Sequence, residues 1–263
     1  MLKIFVYFIV ALVLGSCGEE KDVSASPEIV PGYEPIFGTL YDARDGRTYK
    51  TTVINGLEWM AENLDYYVFY EHCYDNHLDI IDCKDEKYYL RAVNSECYEE
   101  NPVNCKKYGR LYSWDVVIGD TTSFNELILL RNFDGPVQGI CPEGWRVPTL
   151  NDFKEKLWYY LIERHPDLLS KEREALLKSA DEWPDSLKGT NEYGFNLIPN
   201  GYFSTAYYKL GECASFWLMD EFNEHLAYRA DFGCWGGLID AINKYQQCAL
   251  RCVRNYPSGD TNE

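Results

Sequence analysis

Apolar and polar residues alternate in short runs over much of the chain, which is the pattern of β-strands. Residues 38–64 contain several such runs; Gly46 interrupts them, and Asn55–Gly56 separates two apolar runs in the manner of a tight hairpin. Residues 67–107 are rich in turn residues and cysteines, and residues 108–119 fit either a strand or a short helix. From about Gly194 the chain is again strand-like, aromatic and interrupted by glycines.

Two segments have helical spacing instead. Thr149 can cap a helix, with Asp152 in the capping-box position, and a shorter helical pattern covers residues 171–180. The apolar residues of the first segment that share one helical face are Leu150, Phe153, Leu157 and Leu161. Many short antiparallel strands with one or two main helices predict an α+β fold.

The N-terminus has the pattern of an export signal. An unbroken apolar run over residues 4–14 is too short to span a bilayer but has the length of a signal-peptide core. The run ends in Leu-Gly-Ser-Cys17, which resembles the bacterial lipoprotein signal; a plain secretory signal is the alternative. We therefore expect a signal peptide (1–16), a flexible tether (17–37) from a lipidated Cys17, a domain (38–256) and a disordered tail (257–263). Such a protein lies in the cell envelope, at the outer membrane or the cell surface, and is attached to the membrane by lipid.

Net charge and composition limit the classes of molecule that the protein is expected to bind. The formal net charge of −17 at pH 7 makes nucleic acid a poor partner. Aromatic residues make up 16% of the chain, too many for a disordered protein and typical of a packed aromatic core or a binding face.

The ten cysteines indicate a disulfide framework in an oxidising compartment. If Cys17 carries lipid, nine remain, so one is free or intermolecular. Two similar local segments predict the pairs Cys73–Cys83 and Cys97–Cys105. Residues 72–83 also contain several potential metal ligands, but their spacing matches no zinc template, and we predict no metal site there.

Six blocks in order along the chain resemble one family, the Fibrobacter succinogenes major paralogous domain. Two of them are "DARDGRTYKTTVINGLEWMAENLDY" and "CPEGWRVPTLNDF". The blocks cover residues 42–66, 97–117, 141–153, 177–202, 214–221 and 250–255. The resemblance implies a single C-type-lectin-like domain, near the formylglycine-generating-enzyme branch, on exported and often lipid-anchored proteins. It implies no defined reaction.

The resemblance also implies that a cysteine before the first helix pairs with one in the last strand, hence Cys141 with Cys252. Cys234 with Cys248 is the next expected pair, which leaves Cys213 unpaired. The tryptophans inside the family blocks are assigned to the scaffold: Trp59, Trp114, Trp145 and Trp217.

No nucleophile elbow, phosphate-binding loop or HExxH motif is present in the sequence. We predict a non-catalytic binding or adhesion module for polysaccharide, because aromatic rings offer flat platforms for sugars. The candidate ligand face comprises Trp235, Tyr207 and Tyr208. Asp220, Glu221 and Asn223 are candidates for polar contacts; calcium there is an alternative to a solvated acidic loop. The alternatives for the whole protein are a structural or protein-interaction lipoprotein and an enzyme of unknown reaction.

Overall fold

The computed structural model describes residues 34–74, 80–81, 89–119, 133–234 and 238–257, and the structural statements below concern these ranges. The predicted signal peptide, Cys17, Cys83, Trp235 and the tail from residue 258 lie outside them. None of the helices in the described ranges is both long and apolar enough to traverse a bilayer.

The strands of the described chain form three sheets. Their strand orders are β1-β2-β3-β14, β12-β11-β10-β8-β13-β7 with β9 added to β8, and β5-β4-β6. The strands are β1 Ile36–Asp42, β2 Arg47–Ile54, β3 Leu57–Met60, β4 Phe69–Tyr74, β5 Ile80–Ile81, β6 Tyr89–Asn94, β7 Tyr112–Ser113, β8 Asn200–Phe203, β9 Tyr207–Leu210, β10 Ala214–Glu221, β11 Leu226–Phe232, β12 Ile239–Asn243, β13 Gln247–Cys248 and β14 Val253–Asn255. The mixed α+β class is therefore as predicted.

The helices are few and short, as expected. They are α1 Pro102–Tyr108, α2 Trp114–Val117, a π-helical segment Asp152–Tyr159 that continues as α3 Tyr160–Arg164, and α4 Ser170–Leu177; a 3₁₀ turn covers Tyr98–Glu100. Residues 108–119 contain both alternatives that their pattern allowed, since β7 is followed directly by α2.

The local signals for turns and caps are confirmed. Asn55 and Gly56 both have positive φ, +48° and +76°, as a tight hairpin between Ile54 and Leu57 requires. At the predicted helix start, the Asp152 backbone N–H donates to Thr149 Oγ1 (3.0 Å), and the Thr149 N–H donates to Asp152 Oδ2 (2.7 Å). The helical face that follows is buried at Phe153, Leu157 and Leu161.

The core consists of two clusters of apolar side chains and contains the four scaffold tryptophans. Trp59, Trp114 and Trp217 are fully buried, and Trp145 is 3% exposed. The indole N–H of Trp114 donates to the Leu218 carbonyl (3.0 Å), and that of Trp217 donates to the Tyr112 carbonyl (2.7 Å). Their assignment to the scaffold is confirmed.

Three disulfides are present among the described cysteines. Cys141–Cys252 and Cys97–Cys105 are bonded as expected. The expected Cys234–Cys248 pair is wrong, because Cys234 is bonded to Cys213, and Cys248 is the buried free thiol. The reason is the sheet register: Cys213 precedes β10, Cys234 follows β11, and the Ala214–Phe232 partnership brings the two Cα atoms to 5.0 Å.

Candidate functional site

The β8–β9 hairpin places an exposed tyrosine on a supported aromatic stack. Tyr202 and Tyr208 are cross-strand partners, and their rings stack with centroids 5.6 Å apart and planes 24° apart. Tyr208 is 39% exposed, and its hydroxyl is within hydrogen-bond distance of Thr205 Oγ1 (3.2 Å). The Arg229 guanidinium lies 4.6 Å from the centroid of the Tyr202 ring. The exposed ring therefore rests on a side chain that is itself held in place.

Tyr207 points to the other face of the hairpin and anchors it. Its hydroxyl donates to Glu96 Oε2 (3.1 Å), and its ring lies 5.0 Å from that of Tyr98. Burial and the Glu96 carboxylate raise the pKa of Tyr207 to about 12. Tyr98 belongs to the knuckle, by which we mean residues 96–109 with their Cys97–Cys105 disulfide. The structure thus separates the two predicted tyrosines: Tyr208 is exposed, whereas Tyr207 attaches the hairpin to the knuckle.

Beneath the hairpin lies a buried polar cluster that the sequence did not reveal. Arg229 pairs with Asp231 (2.9 Å), and its Nη1 lies 3.9 Å from the Cys248 sulfur. The Ser215 hydroxyl donates to the same sulfur (3.3 Å). Burial raises the pKa of Cys248 to about 11 and that of Asp231 to about 6. At neutral pH the Cys248 thiol is therefore protonated as well as inaccessible, which makes it a poor nucleophile.

The same cluster borders the third disulfide. The sulfur atoms of Cys213 and Cys234 and a carboxylate oxygen of Asp231 lie within 4.8 Å of one another. Because the two sulfurs are bonded to each other, they do not supply the thiolates that a zinc site needs.

A polar cleft of about 470 Å³ is lined in part by the knuckle. Its walls come from the start of β2, the segment after β3, the end of α1 with Gly109, and parts of residues 179–198. The lining includes three basic side chains and four acidic ones, together with serine, threonine and asparagine; the charged residues are Arg47, Lys106, Lys107, Glu62, Asp65, Asp181 and Glu182. Its volume is that of a small-molecule site.

The sequence model of the Fibrobacter succinogenes major domain family matches residues 53–254, from within β2 to within β14. The chain belongs to this family. The matched part contains the hairpin, the buried cluster and all of the cleft lining except Arg47, Thr48 and Tyr49. No curated protein matches the chain, and no solved structure matches it either.

Three further residues that the sequence singled out in this Fibrobacter succinogenes major domain are engaged in local structure. Asp220 Oδ2 accepts the Leu150 N–H (2.6 Å) at the helix start. Glu221 forms a buried ion pair with Lys244. Asn223 Oδ1 accepts the N–H groups of His225 and Leu226, both at 2.9 Å, and so closes the β10–β11 turn. The structure therefore gives each of the three side chains a scaffold contact and does not direct them together at one ligand.

Proposed function

We propose that this chain is an exported, lipid-anchored surface protein whose Fibrobacter succinogenes major domain is a non-catalytic binding module for polysaccharide. We also propose that its α+β fold is of the C-type-lectin-like type. The observation that carries the binding proposal is the exposed Tyr208 ring stacked on Tyr202.

A supported aromatic ring suits a sugar for two physical reasons. The C–H groups on one face of a pyranose are apolar, and a flat ring covers them while the hydroxyl groups stay at the edge in contact with water or polar side chains. A ring already held by Tyr202 and Thr205 loses little conformational freedom when a ligand binds.

The non-catalytic part of the proposal rests on the cysteines. An enzyme related to the formylglycine-generating branch would need an accessible, reactive thiol. In the part of the chain that the structure describes, Cys248 is the free thiol, and it is fully buried with a raised pKa.

Export and lipid anchoring are supported by the N-terminal sequence. The apolar run followed by Leu-Gly-Ser-Cys17 supports lipid attachment at Cys17. A lipid anchor would hold the binding domain at the membrane surface.

A binding screen tests the proposal. The domain from Glu34 onwards is incubated with insoluble plant and bacterial polysaccharides, with and without calcium, and bound protein is measured after sedimentation. We expect selective binding that weakens about tenfold in Tyr208→Ala, since an aromatic contact contributes roughly 1 kcal/mol or more. Tyr41→Ala is the matched control, because Tyr41 is an exposed tyrosine (64%) on β1. Absence of binding to the whole panel, or equal loss in both variants, would contradict the proposal.

One observation favours the alternative, a structural or protein-interaction lipoprotein. Strand β1 is at the edge of its sheet, and it exposes Ile36 (52%), Phe37 (68%) and Tyr41 (64%). Exposed apolar side chains on an edge strand suit pairing with another protein. A folded domain that binds no polysaccharide would make this the preferred function.

A further inference from the structure

The wall of the polar cleft contains a buried hydroxyl group that lacks a bonding partner. Ser179 is 4% exposed and lines the cleft, and its Oγ forms no hydrogen bond with the described residues. Its backbone is fixed, because its N–H donates to the Leu197 carbonyl (2.9 Å) and its carbonyl accepts the Gly189 N–H (3.2 Å). An unpaired buried hydroxyl costs about 1–3 kcal/mol, which a polar ligand in the cleft would recover once the Ser179 side chain rotates to another staggered rotamer that faces the cleft.

The side chain of Asn63, one of the asparagines that line the cleft, is held in a fixed orientation by hydrogen bonds. Asn63 donates from Nδ2 to the Tyr108 carbonyl (2.7 Å) and accepts at Oδ1 from Arg251 Nε (2.7 Å). Arg251 also donates to the Asn196 carbonyl (3.0 Å), and it is completely buried. One buried guanidinium therefore ties together two residues that line the cleft, so the polar surface is ordered before any ligand arrives.

Four of the seven charged side chains that line the cleft are paired with one another. Arg47 forms an ion pair with Asp65, and Lys107 Nζ lies 2.6 Å from Glu182 Oε2. An anionic ligand would meet the carboxylates, and a cationic ligand would meet the ammonium and guanidinium groups. A neutral ligand with many hydroxyl groups fits better, because each hydroxyl both donates and accepts a hydrogen bond. Apolar ligands are disfavoured by a lining that is mainly polar.

The cleft and the aromatic hairpin share the knuckle. In the knuckle, Tyr98 packs against Tyr207 of the hairpin. Cys105 and Lys107, also in the knuckle, line the cleft. The volume of about 470 Å³ has room for one or two sugar rings.

We infer that the cleft is a second sugar subsite, which takes a neutral terminal sugar of the polysaccharide that Tyr208 binds. This inference rests on the proposed function, and it names the part of the ligand that the protein recognises by hydrogen bonds. Ser179 is the specificity-determining residue of the subsite.

The test uses neutral methyl glycosides of glucose, mannose, galactose, xylose and arabinose, with titrations followed by ligand-observed NMR. We expect at least one glycoside to bind the wild-type domain, and Ser179→Ala to weaken it about five- to tenfold. Because the Ser179 hydroxyl has no partner in the free protein, the same variant should unfold at an unchanged or higher denaturant concentration. Tyr208→Ala should bind the glycoside as the wild type does.

A second variant fills the cleft and leaves Ser179 unchanged. Ala180 is exposed and lines the cleft, so Ala180→Trp should abolish glycoside binding while the fold is retained. Ala43→Trp, at an exposed turn outside the cleft, is the matched control and should bind normally.

The outcomes separate the two proposals. Polysaccharide binding that depends on Tyr208, combined with glycoside binding that is absent or unaffected by both cleft variants, would overturn the subsite and leave the binding module intact. Tighter binding of the methyl glycoside of glucuronic acid than of any neutral sugar would also overturn it. A domain that binds neither glycosides nor polysaccharides would remove the proposed function and this inference together.

Discussion

Asp231 is a buried carboxylate, and burial makes its ionised form unfavourable. It is 3% exposed, and the attraction of Arg229 does not offset the burial, so its pKa rises from 3.8 to about 6. Asp240, the Cys248 thiol, the Ser215 hydroxyl and the Cys213–Cys234 disulfide also lie near its carboxylate. Since the folded state holds the proton more tightly than the unfolded chain, Asp231 stabilises the fold below about pH 4. This contribution is lost as the pH rises through 6.

Replacing Asp231 with its neutral analogue should therefore change the pH dependence of stability. Relative to the wild type, we expect the free energy of unfolding of Asp231→Asn to rise by on the order of 2–3 kcal/mol between pH 4 and pH 7. Urea denaturation at several pH values measures this. Asp240→Asn changes the exposed carboxylate near the same arginine and should lack the rise; equal slopes in the two variants would contradict the assignment.

The Cys248 thiol should not react with thiol reagents until the protein unfolds. Cys248 is fully buried and its pKa is raised to about 11, so a thiol reagent should not modify it in the native domain. In guanidinium chloride, one additional thiol should react in the wild type and not in Cys248→Ala. Peptide mapping should recover Cys213 and Cys234 in one cross-linked species, and labelling of Cys213 instead would show that the pairing is different.

At the residue scale, the sequence predicts what local spacing or a family pattern encodes. Cys97–Cys105 follows from a short local segment, and the burial of Trp59 and Trp217 follows from their place in the family blocks. Cys213–Cys234 could not be predicted, because it depends on the register between β10 and β11. The unpaired hydroxyl of Ser179 could not be predicted either. Whether that hydroxyl has a hydrogen-bond partner depends on segments that are distant in sequence.

At the element scale, the two disulfides that the sequence predicts correctly differ in what they hold together. Cys97–Cys105 spans a sequence separation of 8 and closes the knuckle, whereas Cys141–Cys252 spans 111 and joins the segment before the helix to the last strand. The loop-entropy relation gives about 2.5 kcal/mol for the first and about 4–5 kcal/mol for the second.

Paired alanine substitutions should reproduce this order. We expect Cys141→Ala/Cys252→Ala to lower the free energy of unfolding by more than Cys97→Ala/Cys105→Ala does, as measured by denaturant titration. In contrast, the short pair should matter more for binding, because the knuckle borders both the hairpin and the cleft. A larger stability loss from the short pair would contradict the entropic argument.

The presence of a hairpin or a helix could be predicted where the sequence contains recognisable turn or capping residues. The Asn55–Gly56 turn and the Thr149–Asp152 cap lie where the sequence predicts them. The pairing order of the sheets was not predictable, because β8 pairs with β10 and β13, and β14 pairs with β3, across long stretches of sequence. These long-range partners decide where the cleft and the hairpin lie.

At the scale of the whole molecule, the proposed lipid anchor makes a direct prediction. In bacterial cells that express the full chain, wild-type protein should incorporate labelled palmitate and partition into detergent. Cys17→Ser should abolish both while the domain remains folded. Cys248→Ser is a control for nonspecific thiol acylation, and labelling that persists in Cys17→Ser would exclude this cysteine as the attachment site.

Strand β1 gives the molecule a built-in response to mechanical load. It is the first strand of the described residues and lies at the edge of its sheet, and its pairs with β2 run from Ile36–Val53 to Asp42–Arg47. A pull on the N-terminal side reaches these pairs one after another, so the strand peels off at low force. The eleven released residues (36–46) span at most about 36–40 Å when fully extended. Arg47 and Tyr49, which line the cleft, pair with Asp42 and Leu40 of β1, whereas β3 pairs only with residues 51–54 of β2. With the proposed lipid anchor, a pull on the N-terminus therefore removes the backbone partners of two cleft residues, and load on the anchor weakens the hold of the cleft on its ligand.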